Sequence, residues 1–179
     1  MRKEIIEKIE IPEGIDVEIS GDEIKIRKNG KEIARKYSGF KIKKTGNELV
    51  LEEKKATKKV KKLIKTTKAH INNMLSGFGK KYVYKLQICT VHFPMNVSIK
   101  GNELIIKNFL GEVKERKAKI LDGVDVKVEK EIITVESSDK EKAGQTAANM
   151  EKATRIRNRD RRVFQDGIFI TEKQKGARR

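Results

Sequence analysis

The chain has 179 residues, with 43 Lys and Arg against 26 Asp and Glu, a net charge of +17 at pH 7. So one-sided a balance argues against an ordinary metabolic enzyme and for a polyanionic partner, with counterion release supplying much of the affinity. Hydrophobic residues make up 36% of the chain, below the globular norm of roughly 45–50%. The apolar positions are periodic, so small folded cores are expected and not disorder.

A single cysteine, Cys89, allows no internal disulfide and fits a reducing compartment. No apolar run approaches the ~18 residues of a membrane span. The start, Met1-Arg2-Lys3-Glu4, opens an amphipathic segment and lacks a signal-peptide core. A soluble, intracellular protein with no membrane partner is expected.

In chain order, alternating apolar residues predict strands near 15–20, 23–28, 31–37, 41–44 and 48–53. A helix follows over 56–76, with Val60, Leu63, Ile64, Thr67, Ile71 and Leu75 on one face, ended by Gly77 and Gly79. A strand from Tyr82 to Val91 leads into a second set near 95–100, 103–108, 112–119, 124–129 and 131–136. Ser138-Asp139-Lys140-Glu141 reads as a capping box with Ser138 as N-cap. Its helix is expected over 139–158, burying Ala143, Ala147, Met150 and Thr154. An Asp166-Gly167 turn and a closing strand to Thr171 complete the pattern.

The two sets repeat each other. Val17 to Ile26 recurs as Val97 to Ile106, each a Gly-Asp/Asn turn between alternating runs, preceded by Pro12 and Pro94. Asn47 to Leu51 likewise matches Lys130 to Thr134. The expected fold class is α+β, two tandem copies of one unit, each of antiparallel strands packed on a single long helix. The copies span 1–84 and 85–172, followed by a basic tail, 173–179.

Each copy carries its own kind of positive charge. The first helix opens on lysines: Lys54, Lys55, Lys58, Lys59, Lys61, Lys62, Lys65 and Lys68, with no acid among them. Lysines at a helix N-terminus oppose the macrodipole, so a phosphate or acidic neighbour there would offset a local cost; plain solvation would as well. The second copy uses arginine: Lys152, Arg155, Arg157, Arg159, Arg161 and Arg162, then Lys173, Lys175, Arg178 and Arg179. A planar guanidinium grips phosphate bidentately and stacks on bases, which lysine does not do. On a helix, Lys152, Arg155 and Arg159 share a face, with Gln145 and Asn149 on a neighbouring strip. Amides beside arginines suit phosphate, ribose hydroxyls and base edges; hydrogen bonds back into the sheet are the plainer alternative. Asp160 reads as an orienter of an arginine or a turn cap.

Gly144 to Glu151, then Thr154-Arg155-Ile156 and Arg159 to Ile170, resembles the C-terminal signature of the large-subunit ribosomal protein six family, in its archaeal and eukaryotic branch. Ile11-Pro12-Glu13-Gly14-Ile15 is also similar to that family, and the resemblance covers essentially the whole chain. It implies two similar α+β domains, with the C-terminal one making the main contacts to large-subunit ribosomal RNA. It also implies a place near the sarcin–ricin region, beside the docking site of translation factors, with neighbouring ribosomal proteins. The bacterial branch has a lysine- and glycine-rich loop where this chain has Phe164-Gln165-Asp166-Gly167, so only Gly167 carries over there.

Other signals are weak. His70 and His92 lie far apart and Cys89 is alone, so no metal set forms at ligand spacing. Gly77-Phe78-Gly79-Lys80-Lys81 lacks the spacer and the Ser/Thr of a P-loop, and has Lys80 where an RNA-recognition sheet motif needs an aromatic. No nucleophile–base set is recognisable. The expectation is a non-enzymatic RNA binder without cofactor or small-molecule substrate, cytoplasmic within the ribosome. Gln145, Asn149, Lys152, Arg155, Arg157, Arg159, Arg161, Arg162, Gly167, Lys173 and Lys175 form its main contact. Lys54, Lys55, Lys58, Lys59 and Lys62 form a second basic face. A free-standing RNA-binding or chaperone protein is the alternative, disfavoured by a 5% aromatic content.

Overall fold

The computed structural model describes residues 3–28 and 30–173. The chain divides into two compact units, Met1–Gly79 and Lys80–Arg179.

The first unit runs β1 (Lys3–Glu10), β2 (Asp16–Ser20), β3 (Glu23–Lys28), β4 (Lys31–Lys36), β5 (Lys41–Thr45), β6 (Glu48–Ala56) and α1 (Lys58–Gly79). Its strands form two antiparallel sheets, ordered β1-β6-β5 and β2-β3-β4. Strand alternation turns Ile24 and Ile26 of β3, and Leu49 and Leu51 of β6, into one core with Ile64 and Ile71 of α1. Each such fully buried side chain contributes about 1.5–3 kcal/mol by leaving water.

The second unit runs β7 (Tyr82–Cys89), β8 (Asn96–Lys100), β9 (Glu103–Lys107), a 3-10 turn at Phe109–Gly111, β10 (Arg116–Lys119), β11 (Asp125–Glu129), β12 (Ile132–Ser137), α2 (Lys140–Ala153) and β13 (Gly167–Lys173). Its sheets are ordered β11-β12-β7-β13 and β10-β9-β8. The core joins Leu104, Ile106, Ile133 and Ile168 to Ala143, Ala147 and Met150 of α2. Three of the four helix positions expected to face the sheet are in that core; the fourth, Thr154, is buried just past the helix end.

The architecture is thus α+β with two helix-plus-sheet units, and the repeated hairpins sit where the sequence match places them. In β2–β3 the loop is Gly21-Asp22 and in β8–β9 it is Gly101-Asn102. Only the glycine of each pair is left-handed, at φ 56° and 60°, as in a type II′ turn.

Several local expectations are corrected. β1 is a strand that the mixed charges of Lys3 to Glu10 conceal, and a register shift near its start further blurs the alternation. The strand expected from Tyr82 to Val91 is present as β7, ends at Cys89, and lies between β12 and β13 in the second unit's larger sheet. α1 starts at Lys58, where Thr57 Oγ1 accepts from Val60 N at 3.3 Å, so Lys54 and Lys55 belong to β6 and not to the helix. It continues through Gly79, with Gly77 buried inside it and neither glycine left-handed. Leu63, placed on the buried face, is 39% exposed, and Met74 takes core space instead. β10 begins only at Arg116, because left-handed Asn108 and Leu110 bend the chain into the 3-10 turn first.

Candidate nucleic-acid interface

The cationic surface of the second unit is set by where α2 starts and stops. Its N-cap is Asp139, whose carboxylate accepts from Glu141 N at 2.9 Å. Ser138 is not the cap; Ser137 Oγ supports the turn by accepting from Asp139 N. The helix ends at Ala153, not near 158. Two contacts end it. Thr154 Oγ1 donates to Glu151 O at 3.3 Å and accepts from Ile168 N at 2.9 Å, tying the helix end to β13. Arg116 Nη1 donates to Ala153 O and Arg155 O, while its Nε and Nη2 grip both oxygens of Glu112 at 2.7 and 2.6 Å. The bridge from Arg116 holds the Glu112 carboxyl below its ordinary pKa. Arg116 also lies 4.3 Å over the Phe109 ring.

Ending the helix there changes the expected arginine face. Lys152 is in the last turn of α2, but Arg155 and Arg159 follow it in a loop, so the three do not share a helical face. The loop has its own order. Asp160 O accepts from Val163 N and Phe164 N, and Asp160 Oδ1 accepts from Arg162 N at 2.9 Å. Arg162 then folds back on the same carboxylate, Nη2 to Oδ2 at 2.8 Å. That bridge lowers the pKa of Asp160, which is the arginine-orienting turn cap expected of it. Arg159 lies 4.8 Å from the centroid of the Phe164 ring, and His92 stacks on that ring at 4.9 Å.

The keystone is Asp166, which reads in the sequence as a turn residue only. It is 1% exposed. Its Oδ1 accepts from Val91 N and His92 N at 2.8 and 2.9 Å, and Oδ2 lies 2.7 Å from His92 Nδ1. Burial pushes its pKa upward, but the His92 backbone and ring bonds, the Val91 N–H and the charge of His92 outweigh that and hold it at about 2. His92 is therefore not idle; it joins the arginine loop to the segment after β7. The cue in the sequence is an acid placed directly before a glycine in a basic stretch.

Between the end of α2, this loop and β13 lies a groove of about 790 Å³. Cys89, Ile156, Phe164 and Phe169 give it apolar walls, and Lys152, Arg155, Arg161 and Arg162 bring charge to it. Among the described residues, no carboxylate lies within 4.0 Å of Lys152, Arg155, Arg157, Arg159 or Arg161, and all five are exposed. Gly167 is buried below this surface. A Cβ on it would meet the Phe169 ring at 3.1 Å and Thr154 Oγ1 at 3.4 Å, so the glycine serves packing.

The remaining candidates scatter. Gln145 Nε2 donates to Asn149 Oδ1, and Asn149 Nδ2 donates to Lys119 O at 3.1 Å, so this amide pair ties α2 to β10. Lys173 ends β13, exposed, and Lys175 lies outside the described residues. Cys89 is half-buried in β7. In the first unit, Lys58, Lys59 and Lys62 are exposed on α1, and Lys54 and Lys55 on β6. Lys68 is drawn to Glu7 at 2.6 Å. Among the described residues no three His, Cys, Asp or Glu are placed to hold a metal, and no helix is long and apolar enough to cross a membrane.

A sequence model of the family described as ribosomal protein L6 matches residues 93–167. The chain is 44% identical to large ribosomal subunit protein uL6 of Methanococcus vannielii over 171 residues, 94% of each chain. It is 46% identical to the uL6 protein of Sulfurisphaera tokodaii over 173 residues, 95% of this chain and 93% of that one. The uL6 protein of Methanobrevibacter smithii is 42% identical over 172 residues. The chain belongs to the ribosomal protein L6 family. The stretch matched by the L6 model contains α2, the arginine loop and Asp166, while the relatives extend the likeness over both units. The resemblance carried by residues 144–170, and its archaeal character, are therefore real.

Proposed function

We propose that this L6-family chain is a structural constituent of the large ribosomal subunit that binds large-subunit ribosomal RNA through the loop following α2. The observation that carries this reading is that Lys152, Arg155 and Arg161 line one groove, exposed and with no carboxylate within 4.0 Å among the described residues, in a family whose members are named as large-subunit proteins. Arg155, Arg157, Arg159 and Arg161 contact phosphates, with Lys152 and Lys173 at the edges. Arg162 is preset by Asp160 and keeps part of its fork for RNA. Gln145 and Asn149 serve mainly by fixing α2 to β10, leaving the Gln145 carbonyl for a ribose hydroxyl. The lysines of α1 make a secondary contact to RNA or to an acidic neighbouring protein. The site is near the sarcin–ricin region and the docking place of translation factors, in cytoplasmic ribosomes.

The test is the salt dependence of binding to a large-subunit rRNA fragment. Replacing Lys152 and Arg155 with Ala in the full chain should lower the log–log slope by up to about one unit per lost phosphate contact. The wild-type protein should also stay with large subunits through a high-salt wash. An unchanged slope, or release at moderate salt, would remove the second unit as the main contact.

A further inference from the structure

A surface that only grips phosphate needs cations and nothing else. The groove beside α2 has more. Its exposed edge carries Lys152, Arg155 and Arg161, whereas its half-buried walls are Cys89, Ile156, Phe164 and Phe169. Two carboxylates also line it, Glu151 and Asp166. Asp166 is fully engaged by the 91–92 backbone and His92, and Glu151 accepts from Ile170 N at 3.4 Å. Negative charge at the base keeps a phosphate on the rim. The apolar walls suit a flat, weakly polar body, and about 790 Å³ is well inside the roughly 300–1,000 Å³ range of small-molecule pockets. A nucleotide is such a ligand in both parts, a base for the walls and a phosphate for the rim. RNA offers bases in this way where they are unstacked, at bulges, loops and ends.

We infer that this groove receives one unstacked RNA base, with a flanking phosphate held by Lys152 and Arg155 at its edge. The inference rests on the proposed RNA-binding role of the second unit and gives that surface a means of choosing among RNAs. The stacked His92, Phe164 and Arg159 stiffen one wall, and the Asp166 clasp fixes the segment after β7 against the loop. The groove is preformed, so little ordering is needed when the base enters.

Cys89 lines the groove and is the sole cysteine, so it reports on occupancy. The full chain is titrated with a short RNA duplex and with the same duplex carrying one bulged 2-aminopurine. The bulged RNA should bind about tenfold more tightly, the order of one base–aromatic contact. At equal saturation it should slow alkylation of Cys89 by N-ethylmaleimide, while the perfect duplex should not. Protein alkylated beforehand and still folded by circular dichroism should lose the preference for the bulge and keep its affinity for the duplex. Equal affinities together with equal alkylation rates would overturn the base site while leaving RNA binding standing. Failure to bind either RNA would overturn both. Protection of Cys89 by an acidic aromatic peptide but by neither RNA would assign the groove to a protein and refute the inference.

Discussion

The first unit ends with its helix, and the second does not. β1 and β7 hold equivalent places, each beside the strand that leads into the helix, β6 or β12. In the first unit β1 is the sheet edge; in the second, β13 returns to cover β7. The stretch from Thr154 to Lys173 has no counterpart among the described residues of the first unit. The groove, the arginine loop and the Asp166 clasp all belong to it or depend on it. The candidate groove is therefore built on an addition to the repeated scaffold, whereas the first unit carries its exposed lysines on the scaffold itself.

That contrast is most exposed to removal of the clasp. Asp166→Ala leaves two backbone N–H groups and the His92 ring without their buried acceptor, and should destabilise the second unit by about 3 kcal/mol. Denaturant unfolding followed by far-UV circular dichroism reads the loss. Should it stay below about 0.5 kcal/mol, the added segment is not held by this residue and the comparison weakens.

A pH titration sharpens the same point. Asp166 has a folded pKa of about 2, below its unfolded value, so its stabilisation is complete above about pH 4 and is lost as pH falls toward 2. The size is about 2–3 kcal/mol, from a fall of roughly two pKa units, 3.8 to about 2, at 1.36 kcal/mol each. The difference in stability between wild type and Asp166→Asn should shrink over that window. A constant difference from pH 5 to 2 would mean that the ionised carboxylate is not what the clasp uses.

What the sequence made legible follows from how far each interaction reaches. Alternation at Ile24 and Ile26, or Leu104 and Ile106, is local, as is the small-residue stripe of α2, and all of it is buried. The arginines were visible as composition. Their arrangement was not, because the helix is stopped by Ile168 and Arg116 from other strands. Asp166 and His92 are 74 positions apart, and nothing local ties a lone acid to a lone histidine. β1 was hidden because the charges guarding an edge strand interrupt its apolar pattern. The cap was misplaced by one residue since Ser137, Ser138 and Asp139 are all competent, and only the turn geometry chooses Asp139. Asp139→Ala should accordingly cost about 1 kcal/mol and Ser138→Ala less than about 0.5 kcal/mol, measured by chemical denaturation. The reverse order would restore Ser138 as the cap.

The smallest effect concerns the two helix starts. α2 has Glu141 in its first turn and Lys152 in its last, as its dipole favours. α1 has no acid in its first turn and no base in its last, and opens on Lys58 and Lys59. If those lysines are kept for an anionic partner and not for the fold, exchanging one for an acid should help the isolated protein. Lys58→Glu is expected to raise the stability of the first unit by about 0.5 kcal/mol at low ionic strength, with the gain fading as salt screens the dipole. The same change should weaken rRNA binding less than loss of Lys152 and Arg155 does. A loss of stability would show that Lys58 already serves the first unit itself, and the contrast between the units would then rest on the segment after α2 alone.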